Sequence, residues 1–432
     1  MLRLNKQSVC LTMLAAGCLA LAGTGCNRAS APSNLYPSVV RFPVRTDWIV
    51  TGTIASQPTS FWRVGLLPLQ AISLPPSEQD ANTQQLAQEV AKQNHRTFWN
   101  PRELSASQRQ ELAYTLDELF GTPSAPRIPQ FHDHLQTLTR TLKLDSATLR
   151  AGAAIYQNNC QMCHGLTGNG QGGMGASMIP APRDYRSGRF KFTSSDMPEG
   201  SRKPRRDDLI RVLKVGVRGT GMPAFGGLTE PELQAVASYV TFLAIRGETE
   251  IRVIRDLLAD EEDPIPDLAR AALVYQDKRG ALSGVAIDWL RSENTPIIPD
   301  PDPYTTEEAR LAAAARGYAI FNDANSANCG RCHANLGRNA AYTYDMWGTI
   351  VLPRNLTLGQ YRGGDRLVDI YYRIHSGING SGMPAHAHIL RPTFDEQQRG
   401  IDRMWEVVHF VKAVGEPGTR RRLAEKFNLP LD

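Results

Sequence analysis

Cysteine is scarce in this 432-residue chain, and none of the seven is spare. Cys10, Cys18 and Cys26 fall in the opening stretch, and the other four form two C-x-x-C pairs. That leaves nothing for a disulfide framework or a separate redox pair. Long apolar runs are missing beyond Ala22, so no later stretch is fit to span a bilayer. Charge of one sign is also lacking. The formal net charge of +5 is spread along the whole chain, which excludes the concentrated basic surface of a nucleic-acid binder. What remains is globular, with 41% hydrophobic residues and a length that calls for two or three domains.

The paired cysteines organise the rest. CQMCH occupies 160–164 and CGRCH occupies 329–333. C-x-x-C-H is the spacing of covalent haem attachment. Two thiols on one helical turn face one porphyrin edge, and each forms a thioether with a vinyl group. The following histidine ligates the iron. Cys160 and Cys163 are thus the candidate thioethers of one haem c, Cys329 and Cys332 of another, with His164 and His333 as proximal ligands. The alternative is a single tetrahedral zinc held by both pairs. It leaves each histidine unexplained, and the pairs lie far apart in sequence.

The N-terminus has the form of an export signal. Arg3 and Lys6 precede an apolar run from Val9 to Ala22. LAGTGC at 21–26 resembles a lipobox, with Gly23 where a larger aliphatic residue is usual. Cys26 is the expected lipidation site and Cys18, after LAAG, its competitor; the alternative is an ordinary cleaved signal or an uncleaved anchor. A signal peptide over 1–25 and lipid on Cys26 predict anchoring through lipid rather than a spanning helix.

An internal repeat follows. Helical patterns beginning near Asp145 and Thr306 run into the two pentapeptides, carrying Gly152 with Tyr156 and Gly317 with Phe321 at i, i+4. A glycine admits a crossing helix, and the partner is expected to be the last helix of each unit, where Tyr239 and Phe410 match. APRDY follows the first motif and LPRNL the second. Then G-T/S-G-M-P places Met222 and Met383 alike, each on a constrained loop. A thioether there is a good sixth iron ligand, being soft, neutral and flexible. Met174, Met178 and Met197 compete in the first unit, Met346 and Met404 in the second. His386 or His388 would instead give a bis-histidine second site. His375, whose counterpart is near Val215, and His409 read as structural. Pro182 and Pro353 are candidates to present a stiff carbonyl to the second nitrogen of each histidine, or else simple turns.

With these residues assembled, 145–247 and 304–415 resemble class I cytochrome c domains. The resemblance implies a mainly α chain with two helical haem domains in tandem, His/Met ligation, two covalent haem c groups and one-electron transfer. The whole resembles diheme cytochromes of bacterial respiratory chains. A terminal oxidase, a quinol-oxidising complex or a small cytochrome is then the expected partner, at the periplasmic face of a membrane. The expected organisation is an irregular and helical N-terminal region (26–144), a first cytochrome domain (145–247), a helical linker (248–303) and a second cytochrome domain (304–432). Forty residues separate Pro182 from Met222 but thirty separate Pro353 from Met383. The extra length is basic: Arg183 to Arg218 holds eleven Lys/Arg against five Asp/Glu. It reads as a steering surface, a contact for propionates or anionic lipid, or a solvated loop. The N-terminal region lies outside the resemblance and reads as core and surface, or as a docking module. Competing functions are a diheme peroxidase-like enzyme, which needs one haem to lose its sixth ligand, and a sensor or assembly factor.

Overall fold

The computed structural model describes residues 36–47, 49–51, 97–130, 132–259, 280–344, 350–391 and 402–431. The leader with Cys18 and Cys26, residues 52–96 of the N-terminal region and Met346 lie outside these residues. Among the described residues the fold is mainly helical, as expected.

An antiparallel ribbon pairs β1 (Ile49–Thr51) with β2 (Thr97–Trp99). Helix α1 (Ala106–Phe120) starts in a reciprocal Ser105–Gln108 cap and stops at Gly121, whose φ of 71° suits glycine. A hairpin of β3 (Gly121–Thr122) and β4 (Ala125–Pro126) leads to α2 (Asp133–Thr141). The first repeat comprises α3 (Ser146–Asn159), the short α4 (Gln161–His164), α5 (Arg206–Val215) and α6 (Glu230–Ala259). Helix α7 (Ala281–Asn294) precedes the second repeat. That repeat comprises α8 (Glu307–Asn322), a ribbon of β5 (Thr343–Tyr344) and β6 (Ile350–Val351), α9 (Leu367–Ser376), α10 (Ala387–Leu390), α11 (Met404–Val414) and α12 (Pro417–Phe427). No described helix is long and apolar enough to cross a membrane.

The two glycines set the helix crossings. A Cβ on Gly152 would stand 2.1 Å from the Ala235 carbonyl oxygen and 2.8 Å from Tyr239 Cβ. On Gly317 it would stand 2.1 Å from the Glu406 carbonyl oxygen and 2.8 Å from Phe410 Cβ. One turn on, Tyr156 meets Tyr239 at 5.3 Å between ring centroids, and Phe321 meets Phe410 at 5.2 Å. Backbone contact this close is available only without a side chain, so the glycine decides where each pair touches.

Three expectations change. Helix α6 does not end with the first unit at residue 247 but runs on to Ala259. Gly247 within it admits Arg186, whose Cα would lie 2.4 Å from a Cβ there. The N-terminal region is not a separate module. Leu112, Leu116, Phe120, Leu135 and Leu138 belong to the same buried core as α3 and α6, and Phe42 packs against Phe242 with centroids 6.1 Å apart.

The basic stretch, third, is a packed brace rather than a solvated loop over most of its length, with Arg186, Arg202 and Lys203 buried and Lys214 and Arg218 exposed. Arg186 is 4% exposed and grips Asp184 and Asp47. Lys203 pairs with Glu248, whose other oxygen accepts from Trp289 Nε1 at 2.7 Å. Backbone bonds from Asp196 to Thr295 and from Ile297 to Ser194, both 2.8 Å, tie the brace to the end of α7. It also meets the second repeat: Gly380 N–H donates to Glu199 at 3.0 Å, and the Arg373 guanidinium lies 5.3 Å above the Phe192 ring.

Gly317→Val is expected to destabilise the fold by at least about 1–3 kcal/mol, the usual cost of overpacking a tight core; an unchanged denaturant midpoint would refute the crossing assigned to it. Burial works against ionisation of Asp47, yet the Arg45 and Arg186 guanidiniums hold its carboxyl well below the ordinary range. Its stabilising contribution is therefore present above about pH 4 and lost as pH falls through the depressed value. Asp47→Asn should lower stability at pH 7 and converge with the parent in strong acid, as read by urea unfolding at both pH values.

Candidate functional site

Each pentapeptide folds into one tight turn. The Cys160 carbonyl accepts from the N–H of Cys163 at 3.1 Å and of His164 at 2.9 Å. The Cys329 carbonyl accepts from Cys332 at 3.2 Å and from His333 at 2.8 Å. All four cysteines are free, and burial pushes the thiols of Cys160 and Cys329 up to about 12 and about 11. Among the described residues no three His, Cys, Asp or Glu side chains converge to hold a metal ion. A shared zinc is thereby excluded, because the two pairs are not gathered round one point.

A backbone carbonyl orients each histidine. His164 Nδ1 lies 3.2 Å from the Arg183 oxygen, and His333 Nδ1 lies 3.0 Å from the Arg354 oxygen. The acceptor is thus the residue after the proline, not Pro182 or Pro353 themselves. The Pro182 carbonyl faces Gly170 instead, 2.5 Å from where a Cβ would sit. Proline fixes the course of the chain, and the next peptide is the one aimed at the ring. Burial lowers His164 to about 4 and holds His333 below its ordinary value as well, with His386 adding to the effect on His333. Both shifts favour the neutral ring. With Nδ1–H given to a carbonyl, Nε2 keeps its lone pair for a metal.

The methionine loops match bond for bond. Gly216 and Gly377 end α5 and α9 at φ of 67° and 68°. Val217 N–H donates to Met222 O, and Ile378 N–H to Met383 O, both at 3.1 Å. The hydroxyls of Thr220 and Ser381 accept from the N–H of Met222 at 3.2 Å and of Met383 at 3.4 Å. Phe225 N–H bonds Leu213 O at 2.8 Å, as His386 N–H bonds Ile374 O at 3.0 Å. This register puts His375 opposite Lys214 rather than Val215.

Cys160, Cys163, His164, Met222 and Phe225 line one mostly apolar cavity in the first repeat. Paired thiols, a neutral imidazole and a thioether around an apolar space fit a covalently held haem. Met178 lines it too, with its sulfur 3.2 Å from a Cβ placed on Gly221. Sequence patterning does not single out Met178, because it stands in no repeated motif. Met174 is exposed, and Met162 inside the pentapeptide is 61% exposed. In the second repeat Met383 is half-buried, His388 is exposed, and His386 is buried with Nδ1 lacking a hydrogen-bond partner. His409 is buried rather than flanking, 3.0 Å from Asp302.

Residues 147–240 match the family model described as cytochrome c oxidase, cbb3-type, subunit III. No curated protein matches the chain. A solved chain of the reducing HAO-like protein complex of Kuenenia stuttgartiensis is 22% identical, with a TM-score of 0.43, covering 62% of this chain and 96% of that one. The family match spans the first pentapeptide, its glycine–aromatic helix and the Met222 loop, so the chain carries a cytochrome c domain between residues 147 and 240, a domain that implies haem c and electron transfer.

Proposed function

We propose that the protein is a diheme cytochrome c that carries single electrons in a bacterial respiratory chain, as donor to or subunit of a terminal oxidase or quinol-oxidising complex. The observation that carries this reading is the second set of bonds: the turn, histidine-to-carbonyl and methionine-loop bonds of 160–222 recur in 329–383. Cys160 and Cys163 would hold one haem, Cys329 and Cys332 the other, and His164 with Met222 would ligate the first iron, His333 with Met383 the second. A bound haem c supplies reversible one-electron exchange at its iron. The chain's part is to fix the imidazole through Arg183 O or Arg354 O, and to hold the thioether on a bonded loop. A methionine and a histidine as the two ligands would favour a high potential and leave the iron no open position for substrate. The leader and Cys26 support export and lipid anchoring at the periplasmic face, with redox proteins as partners.

His386 supports a second reading of one ligand. It is buried, its Nδ1 is unpartnered, and it holds the place of cavity-lining Phe225. It would make the second site bis-histidine.

Haem assay should give two thioether-bound haems per chain. Met222→Leu and Met383→Leu should each remove about half of the weak far-red band of oxidised methionine-ligated haem, a share that follows from equal ligand sets. If Met383→Leu changes nothing while His386→Phe creates that band, the second site is bis-histidine. Fast stoichiometric carbon monoxide binding to the ferrous protein as isolated would replace the carrier with a peroxidase-like enzyme. Cys26→Ser should release the protein from the membrane fraction; retention would count against lipid anchoring there.

A further inference from the structure

We propose that Arg362, carried by the second repeat, is the charge partner of the first repeat's haem, binding a propionate carboxylate and raising that haem's reduction potential. The proposal rests on the haem assignment above for residues 160–222.

Arg362 lines the same cavity as Cys160, His164 and Met222, although some 140 residues separate it from Met222 in the chain. It reaches the cavity because the Met222 loop is pressed against segment 354–365. Arg218 pairs with Asp365 at 2.6 Å, and Arg362 Nη2 lies 3.5 Å from the Gly219 carbonyl oxygen. The Arg354 guanidinium sits 3.5 Å from where a Gly219 Cβ would be. Arg354 therefore touches the first repeat's methionine loop while its own carbonyl holds His333.

The guanidinium of Arg362 is half-buried, and its Nε is buried without a hydrogen-bond partner. Among the described residues no carboxylate pairs with it. Burial, and then the neighbouring Arg354, push it below its ordinary value. A cation held at such cost calls for an anion. Asp208, the carboxylate in the cavity lining, is already committed: it accepts from the N–H of Ser194 at 2.8 Å and of Arg205 at 3.0 Å, and from Arg211 at 2.7 Å. Haem c brings two carboxylates of its own to a lining that includes Arg183, Lys191 and Arg362. A fixed positive charge at that edge favours the reduced state, which carries one more electron. The first site's potential then depends on the second repeat staying docked.

The test is a spectroelectrochemical titration of the whole protein. In Arg362→Gln one of the two midpoints should fall by three- to tenfold in the one-electron equilibrium, tenfold being about 59 mV. It should be the midpoint that Met222→His also displaces, and Arg362→Lys should recover most of the loss. Arg218→Gln removes a cation from the same interface at an exposed pair, and should shift the midpoints far less. Unshifted midpoints in Arg362→Gln, or an equal shift in Arg218→Gln, would overturn the role of Arg362. Haem content of the same samples separates the failures. Fewer than two haems in the parent protein sinks the haem assignment, whereas two haems with unmoved midpoints sinks only this proposal.

Discussion

The bond from a buried imidazole to a backbone carbonyl governs this molecule. A histidine that must offer Nε2 to a metal needs its other nitrogen occupied, its ring held in one orientation, and its charge absent. Burial alone removes the charge but would leave Nδ1–H unsatisfied, at a cost of roughly 1–3 kcal/mol. Arg183 and Arg354 meet that need in the two repeats. Several other features serve the bond. The Cys160 and Cys329 turns set the ring's origin, the preceding prolines set the path of the acceptor chain, and the glycine crossings fix the helices that carry the turns. Tyr156 adds a further tie, donating to the Gly165 carbonyl at 2.8 Å directly after His164.

The brace from Arg183 to Arg206 shows how a second use is drawn from the same stretch. Its first residue orients His164, and its remainder is built into three neighbours: α6 through Lys203 and Glu248, α7 through Glu293, and the second repeat through Arg202 and Glu199. Arg211 extends the theme, pairing with Asp208 at 2.7 Å and reaching the equivalent Asp369 of the other repeat at 3.5 Å. Each cation buried here has a carboxylate or carbonyl opposite it, the condition under which burying charge is tolerated. The positive excess that looks in sequence like a surface for partners is thus largely consumed inside the protein.

Local signals carried much of the fold. Ser105, Asp145 and Thr306 cap the helices they precede, Gly121 ends α1, and the Gly152–Tyr156 and Gly317–Phe321 pairs meet the helices assigned to them. Cysteine, histidine and methionine spacing brought four residues to one cavity in the first repeat because each lies on a short, self-bonded turn. What patterning missed depends on residues far apart. Nothing near Gly247 announces that Arg186 will fill its space, and nothing near Arg362 announces a cavity in the other repeat. The acceptor carbonyl was misplaced by one residue because composition marks the proline, while the direction of a carbonyl is a matter of dihedral angles.

The two repeats also differ in a consistent way. The matched bonds lie on backbone and on the hydroxyls of Thr220 and Ser381, which set ligand position. The mismatches lie on side chains around them. Phe225 gives way to buried His386, and Val212 to Arg373, whose guanidinium bonds the Arg362, Asp369 and Gly363 carbonyls and lies over Phe192 of the first repeat. Ligand geometry and ligand environment are therefore separable in this architecture. A backbone-defined scaffold can be copied without retuning each bond, and the walls can then diverge. Since environment moves a potential even when axial ligands do not change, the two proposed sites need not be equivalent even with one ligand set. On that proposed reading a gradient requires only that one wall be more positive or less polar than the other, and the difference between Phe225 and His386, together with the proposed role of Arg362, is of the right kind to create it.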